Sequence, residues 1–148
     1  MERLKWENLP FEPFYITMSL MIGKIDYSKL KVKPEQHEIE TARFFSERGC
    51  DVSFIPPSNS PKIHTPDIMM CGIAWEIKSP TGKSKRTIEN CIRQAARQSH
   101  YIIIDLRRVK LEDRICLLQI KRQFNLKTYI KRILIITKSL ELVELSRK

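Results

Sequence analysis

The chain has 148 residues, of which 42% are hydrophobic and 30% charged, with a formal net charge of +10. That is the length and make-up of one globular domain with room for a buried core. It excludes a membrane-spanning chain, since no run approaches the ~20 apolar residues a span needs.

The charge is unevenly placed. Residues 1–77 carry nine Lys/Arg against eleven Asp/Glu, whereas residues 78–148 carry eighteen against six. A basic half of this kind points to a polyanionic partner, nucleic acid first. Met1–Lys5 leads into no long apolar run, so no signal-peptide pattern is read. Cys50, Cys71, Cys91 and Cys116 are scattered without a C-x-x-C pair. This argues against a zinc ribbon and for reduced thiols in a cytosolic setting.

In chain order, residues 1–33 read as an N-terminal extension. Its hydrophobic cluster from Phe11 to Ile22 has no clean period. A short helix, a strand and a partner-binding arm all stay open for it. The domain proper is read from 34 to 148. Pro34 to Arg48 predicts a helix, with Pro34 in its first turn, Glu35 and Glu38 near its start and Gly49 at its end. Asp51–Ile55 alternates as a strand, and residues 56–64 form a Pro- and Ser-rich loop. Thr65–Pro80 follows as two short strands around a turn at Cys71-Gly72, where Gly accepts positive φ. Thr87 is expected to cap a helix running to about Ser99. Tyr101–Leu106 and Arg132–Thr137 read as buried central strands. Between them Leu111–Phe124 predicts a helix with Ile115, Leu118 and Leu117 inward, and Leu140–Leu145 predicts a short edge strand or terminal turn.

Candidate chemistry concentrates on the hairpin. Alternation in its second strand puts Ile73, Trp75 and Ile77 on one apolar face and Ala74, Glu76 and Lys78 on the other. Asp67 opens the first strand and can approach the same spot. Two carboxylates and a lysine suit metal-assisted phosphodiester hydrolysis, with Mg²⁺ or Mn²⁺ favoured and Zn²⁺ a further option. Asp67 and Glu76 are the expected metal ligands, with the Ile77 carbonyl as a third donor. Ser79, Thr81, Lys83, Lys85, Arg86, Thr87 and Asn90 make a basic, hydroxyl-rich loop and helix start, a seat for substrate phosphates. His64 lies within reach of Asp67 in sequence. His37 is expected to face away from Glu38, and His100 ends a helix. Nothing pairs them as a histidine ribonuclease requires.

Pro66-Asp67 followed by Glu76-Ile77-Lys78 resembles the signature of the PD-(D/E)xK nuclease superfamily. A longer stretch, about 38–108, is similar to the C-terminal toxin domains of CdiA proteins, the contact-dependent growth inhibition tRNA nucleases. Trp75–Gly82, Arg86–Asn90, Gln94–Ser99 and Ile104–Arg107 carry that likeness. The resemblance implies an α/β (α+β) restriction-endonuclease-like fold with an αβββαβ core and a central mixed sheet flanked by helices. It makes 34–148 a nuclease domain, and the order of elements read above agrees with it. It also implies Lys78 as the catalytic lysine, Glu38 as an added carboxylate from the first helix with Glu40 as the fallback, and Gln98 and Arg93 facing the scissile phosphate. The substrate implied is tRNA, cut in the cytoplasm of a cell to which the toxin is delivered from another, and the partner implied is a cognate immunity protein. A DNA endonuclease of restriction or repair type, and a non-catalytic nucleic-acid-binding protein on the same fold, are the rival readings.

Overall fold

The computed structural model of the chain describes residues 2–3 and 22–148. Eleven elements follow in order: β1 (Glu2–Arg3), β2 (Ile25–Asp26), α1 (Gln36–Ser46), β3 (Val52–Phe54), β4 (Ile68–Met70), β5 (Ile73–Lys78), α2 (Thr87–Ala95), β6 (Tyr101–Asp105), α3 (Asp113–Leu126), β7 (Arg132–Ile136) and β8 (Leu142–Ser146). From α1 to β6 this is the expected αβββαβ order. The hydrophobic cluster read between Phe11 and Met21 lies outside the described residues.

The strands form one mixed sheet in the order β1-β8-β7-β6-β5-β4-β3-β2. β3, β4 and β5 make an antiparallel meander. β5, β6 and β7 run parallel, joined through α2 and α3. β8 lies antiparallel on β7 and is itself covered by β1, so it is an interior strand rather than the edge. At the far side β2 pairs parallel with β3. Both edge strands therefore come from within residues 1–33.

Each face of the sheet has its own core. On one face Ala42, Phe44 and Phe45 of α1 pack on Trp75, Ile77, Ile103 and Leu134. On the other, Ile88 and Ile92 of α2 with Cys116, Ile120 and Phe124 of α3 pack on Ile102, Ile104, Ile133 and Ile135. Successive isoleucines of β6 enter opposite cores, which is why that strand reads as an unbroken apolar run.

α1 stops where the sequence requires. Gly49 takes φ +91, its N–H donates to Ser46 O at 3.0 Å, and Cys50 N–H donates to Phe45 O at 3.0 Å. That pair of bonds closes a helix end in the Schellman manner, for which Gly has no steric cost. Two expectations are corrected. Arg86, not Thr87, stands at the α2 N-cap, and Thr87 is the first helical residue, its N–H bonded to Ser84 O. The buried stripe of α3 is Cys116, Ile120 and Phe124, with Leu117 partly buried, whereas Ile115 and Leu118 are exposed. A spacing of four places one residue per turn against α2, and that stripe displaces the one one position away.

Candidate active site

The site begins with the turn between β4 and β5. Cys71 and Gly72 both have positive φ, +54 and +71, the combination a two-residue type I′ hairpin needs. It fixes the register Ile68↔Trp75, so the next pair outward sets Asp67 opposite Glu76. The Asp67 N–H donates to Trp75 O at 2.9 Å and extends the ladder to that point. Asp67 Oδ2 in turn accepts the Ile77 N–H at 2.7 Å. The carboxylate is thereby held across the end of the hairpin, between Glu76 and Lys78.

Glu76 is 2% exposed. The strand face that carries it is not solvated, as a charged alternation suggests, but lies under α2. Lys78 Nζ stands 3.1 Å from Glu76 Oε1. Gln98, one turn beyond the end of α2, closes the other side. With its nitrogen toward Glu76 it donates to both carboxylate oxygens at 3.0 Å, whereas the reverse orientation sets oxygen against oxygen. Burial pushes the Glu76 carboxyl up to about 7, the Asp67 charge adds to the rise, and Lys78 opposes it. Burial likewise pushes Asp67 up to about 6, against the bond from Ile77 and with repulsion from Glu38. Two carboxylates that both resist ionisation side by side are short of positive charge.

These groups open onto a cleft of about 590 Å³ at the carboxyl end of β5. Its walls include Glu38, Asp67, Glu76, Ile77, Lys78, Ser79, Thr87, Asn90 and Gln98. Nine of the residues named from sequence thus meet in one place. Thr81, Lys83, Lys85 and Arg86 lie exposed on the loop before α2, outside the cleft. Arg93 faces solvent and pairs with Glu89 at 3.0 Å. Glu40 and His64 also stand outside the cleft, whereas His37 lines it beside Glu38, its Nδ1 3.3 Å from Glu35. Glu38 has a second task, its carboxylate accepting the Glu35 N–H at 2.8 Å where α1 starts.

Arg108 is a wall residue that the sequence reading passed over. It donates to Ser79 Oγ at 2.9 Å and to Ser79 O at 2.7 Å. The signal was the basic pair Arg107-Arg108 directly after a buried central strand, since β6 runs parallel to β5 and ends at the same place. The Lys110 N–H bond to Gly82 O at 3.0 Å ties the same loop down a second time.

The donor set suits a divalent cation. Asp67 and Glu76 are hard oxygen donors, adjacent and mutually repulsive, and a 2+ charge between them would relieve the repulsion. Among the described residues no group of three or more His, Cys, Asp or Glu side chains is placed to hold a metal. Such an ion would rest on this pair, a backbone carbonyl such as that of Ile77, and oxygens from water or substrate. All four cysteines are free, with Cys50, Cys91 and Cys116 buried and Cys71 exposed at the hairpin turn. Among the described residues no helix is long and apolar enough to cross a membrane.

No curated protein matches the chain. Among solved structures, the "CdiA-CT/CdiI toxin and immunity complex from Burkholderia pseudomallei" is similar, with 20% identity, a TM-score of 0.57, and coverage of 80% of this chain and 98% of that one. At that identity the likeness shows the fold. The family model of the contact-dependent growth inhibition CdiA C-terminal domain matches residues 64–142, a segment holding Asp67, Glu76, Lys78 and Gln98. With more than half of its length matched, the chain belongs to the contact-dependent growth inhibition CdiA C-terminal domain family.

Proposed function

We propose that the chain is a toxin domain acting as a metal-dependent endonuclease on tRNA. The observation that carries this reading is the meeting of Asp67, Glu76, Lys78 and Gln98 at the floor of one cleft with basic and hydroxyl groups on its wall. Membership of the growth-inhibition family supports the toxin role, with action in the cytoplasm of a cell that receives the domain from another. The similar structure is a toxin and immunity complex, which supports a cognate immunity protein here too. An acidic face on that protein would complement the basic half of this chain.

Asp67 and Glu76 would hold the cation, with the Ile77 carbonyl as a further donor. When bound, Mg²⁺ or Mn²⁺ supplies Lewis-acid polarisation of the phosphate and acidifies water. Lys78 orients the attacking water and offsets charge that builds on the phosphate oxygens. Gln98 locks the rotamer of Glu76 through two hydrogen bonds, the support a metal-binding carboxylate needs. Arg108 and the start of α2 at Thr87 and Asn90 receive substrate phosphates, with Lys83, Lys85 and Arg86 further out along the rim.

The test is incubation of purified protein with total tRNA and, separately, plasmid DNA, with Mg²⁺, Mn²⁺, Zn²⁺ or EDTA, beside Asp67→Ala. Metal-dependent loss of tRNA that the variant cannot cause is the expected result. Cutting of plasmid alone would keep the site and replace the substrate. Salt-sensitive binding without cutting of either would favour a non-catalytic nucleic-acid-binding protein.

A further inference from the structure

A second cavity, of about 600 Å³, adjoins the catalytic cleft. Glu35, Glu38 and Asp67 line both, so the two hollows meet at the carboxylates. The second one lies between the segment leading into α1 and the loop after β3. Its rim carries Lys29, Lys31 and Lys33, all exposed. Among the described residues none of the three lies within ion-pair distance of a carboxylate. Its floor is apolar, made of Leu30, Phe54, Ile55, Pro56 and Pro57. Phe54 is buried and stacks on Tyr27 at 5.3 Å and 13°.

We infer that this groove is a second arm of the substrate path, taking a single strand of the nucleic acid beyond the scissile phosphate. The inference rests on the nuclease reading above. A strand laid over Asp67 leaves the catalytic cleft past Ser79, Thr87 and Asn90 on one side and enters this groove on the other. The junction is acidic, with Glu35, Glu38, Asp67 and Glu76, and would repel a polyanion unless cations flank it on both sides. Lys78 and Arg108 serve one flank, and the three lysines serve the other. They are the only charged residues from 29 to 34 in a half of the chain that is otherwise net acidic. A basic rim follows the phosphates of a strand, and the exposed Pro56 and Pro57 beside Leu30 and Ile55 offer its bases an apolar surface. Two strands from within residues 1–33 frame the sheet edges, and the loop after β2 thereby gains a place beside the catalytic carboxylates.

The experiment measures binding of tRNA and of a single-stranded RNA oligonucleotide across a salt series, in an Asp67→Ala background so that nothing is cut. The variant carries Lys29→Ala, Lys31→Ala and Lys33→Ala. A control carries Lys121→Ala, Arg122→Ala and Lys127→Ala on and beyond α3, none of which lines either cavity. Five of the six side chains are exposed and Lys127 is half-buried; truncation at such positions rarely unfolds a domain. At a slope of about −0.7 per phosphate contact, losing three contacts flattens the salt dependence by about two. Between about 50 and 200 mM salt the variant should then lose roughly twentyfold less affinity than its parent, and the control should match the parent. Equal affinity and slope for variant and parent would overturn the inference. Cleavage by the Asp67 protein, assayed in parallel, reports on the nuclease reading separately. Wild-type cutting with an unaffected lysine variant removes only the groove, whereas no binding and no cutting removes both.

Discussion

Asp67 Oδ2 accepts the Ile77 N–H at 2.7 Å, which welds the first carboxylate of the site to the backbone between Glu76 and Lys78. A side-chain amide can accept that same bond. Asp67→Asn therefore keeps the hairpin while removing one of two adjacent carboxylate charges, Asp67 half-buried and Glu76 buried. We expect the variant to be at least as stable as the parent in EDTA and to cut tRNA at least about a hundredfold more slowly, a loss typical of removing one charge-stabilising group from a reacting centre. Denaturant melts beside single-turnover cleavage check both halves. A clear loss of stability would mean that the carboxylate is structural.

Metal removal should show a pH dependence of definite sign. Unfolded, Asp67 and Glu76 titrate near 3.8 and 4.5; folded, burial first raises them to about 6 and about 7, helped by the Glu38 charge at Asp67 and by the Asp67 charge at Glu76. The folded state thus holds protons more tightly in that window. The slope of stability with pH is negative there, and metal-free stability falls as pH rises from about 4 to about 7. A divalent cation held by the ionised pair should restore stability at about pH 8 and do little at about pH 5. At a hundredfold excess over its dissociation constant the gain is about 2.7 kcal/mol. Thermal melts with excess Mg²⁺ and with EDTA at both pH values decide it; an equal metal effect at the two would place the cation elsewhere.

Gln98 donates to both oxygens of Glu76, which makes a positioning role for it testable. Gln98→Ala removes both bonds to the carboxylate and should lower cleavage about 10- to 100-fold, with weaker Mg²⁺ dependence curves, as loss of a ligand-orienting partner does. Gln98→Glu puts a third carboxylate at 3.0 Å and should be worse than Gln98→Ala in both activity and stability. Metal titration of activity for the parent and the two variants makes the comparison, and parental activity in both variants would leave Gln98 a bystander.

The parts of this site that were legible in the sequence are those set by local rules. The Cys71-Gly72 turn and the alternation of β5 bring Asp67, Glu76 and Lys78 together without help from the rest of the chain. Gly49 likewise ends α1 wherever α1 packs. Burial of Glu76 was not legible, because alternation reports one apolar face and says nothing of what covers the other. Arg108 escaped notice because it meets Ser79 only through the parallel pairing of β5 with β6, twenty-nine positions apart in sequence. The α3 stripe was misjudged for a related reason. Ile115 and Leu118 are as apolar as Cys116 and Ile120, and only the packing of α2 against α3 chooses between the two faces.

Thr41 and Asp105 are the strongest instance of a contact that no local pattern announces. The Thr41 hydroxyl, buried on α1, donates to Asp105 Oδ2 at 2.9 Å across 64 positions. Arg107 grips the same carboxylate, Nε to Oδ1 at 2.9 Å and Nη2 to Oδ2 at 2.6 Å. This network pins the middle of α1, and with it Glu38 at the helix start, to the carboxyl end of β6. Asp105→Ala leaves Arg107 without its carboxylate, while the Thr41 hydroxyl keeps His37 O at 2.9 Å, and should cost roughly 3 kcal/mol, as breaking a buried pair does. Thr41→Val removes one neutral donor and should cost about 1 kcal/mol. If the bond is what joins them, the double variant falls short of the sum by about 1 kcal/mol, since the second change has nothing left to remove. Urea denaturation of the four proteins in the cycle measures that difference. Simple additivity would mean that α1 is held to the sheet by its apolar face alone.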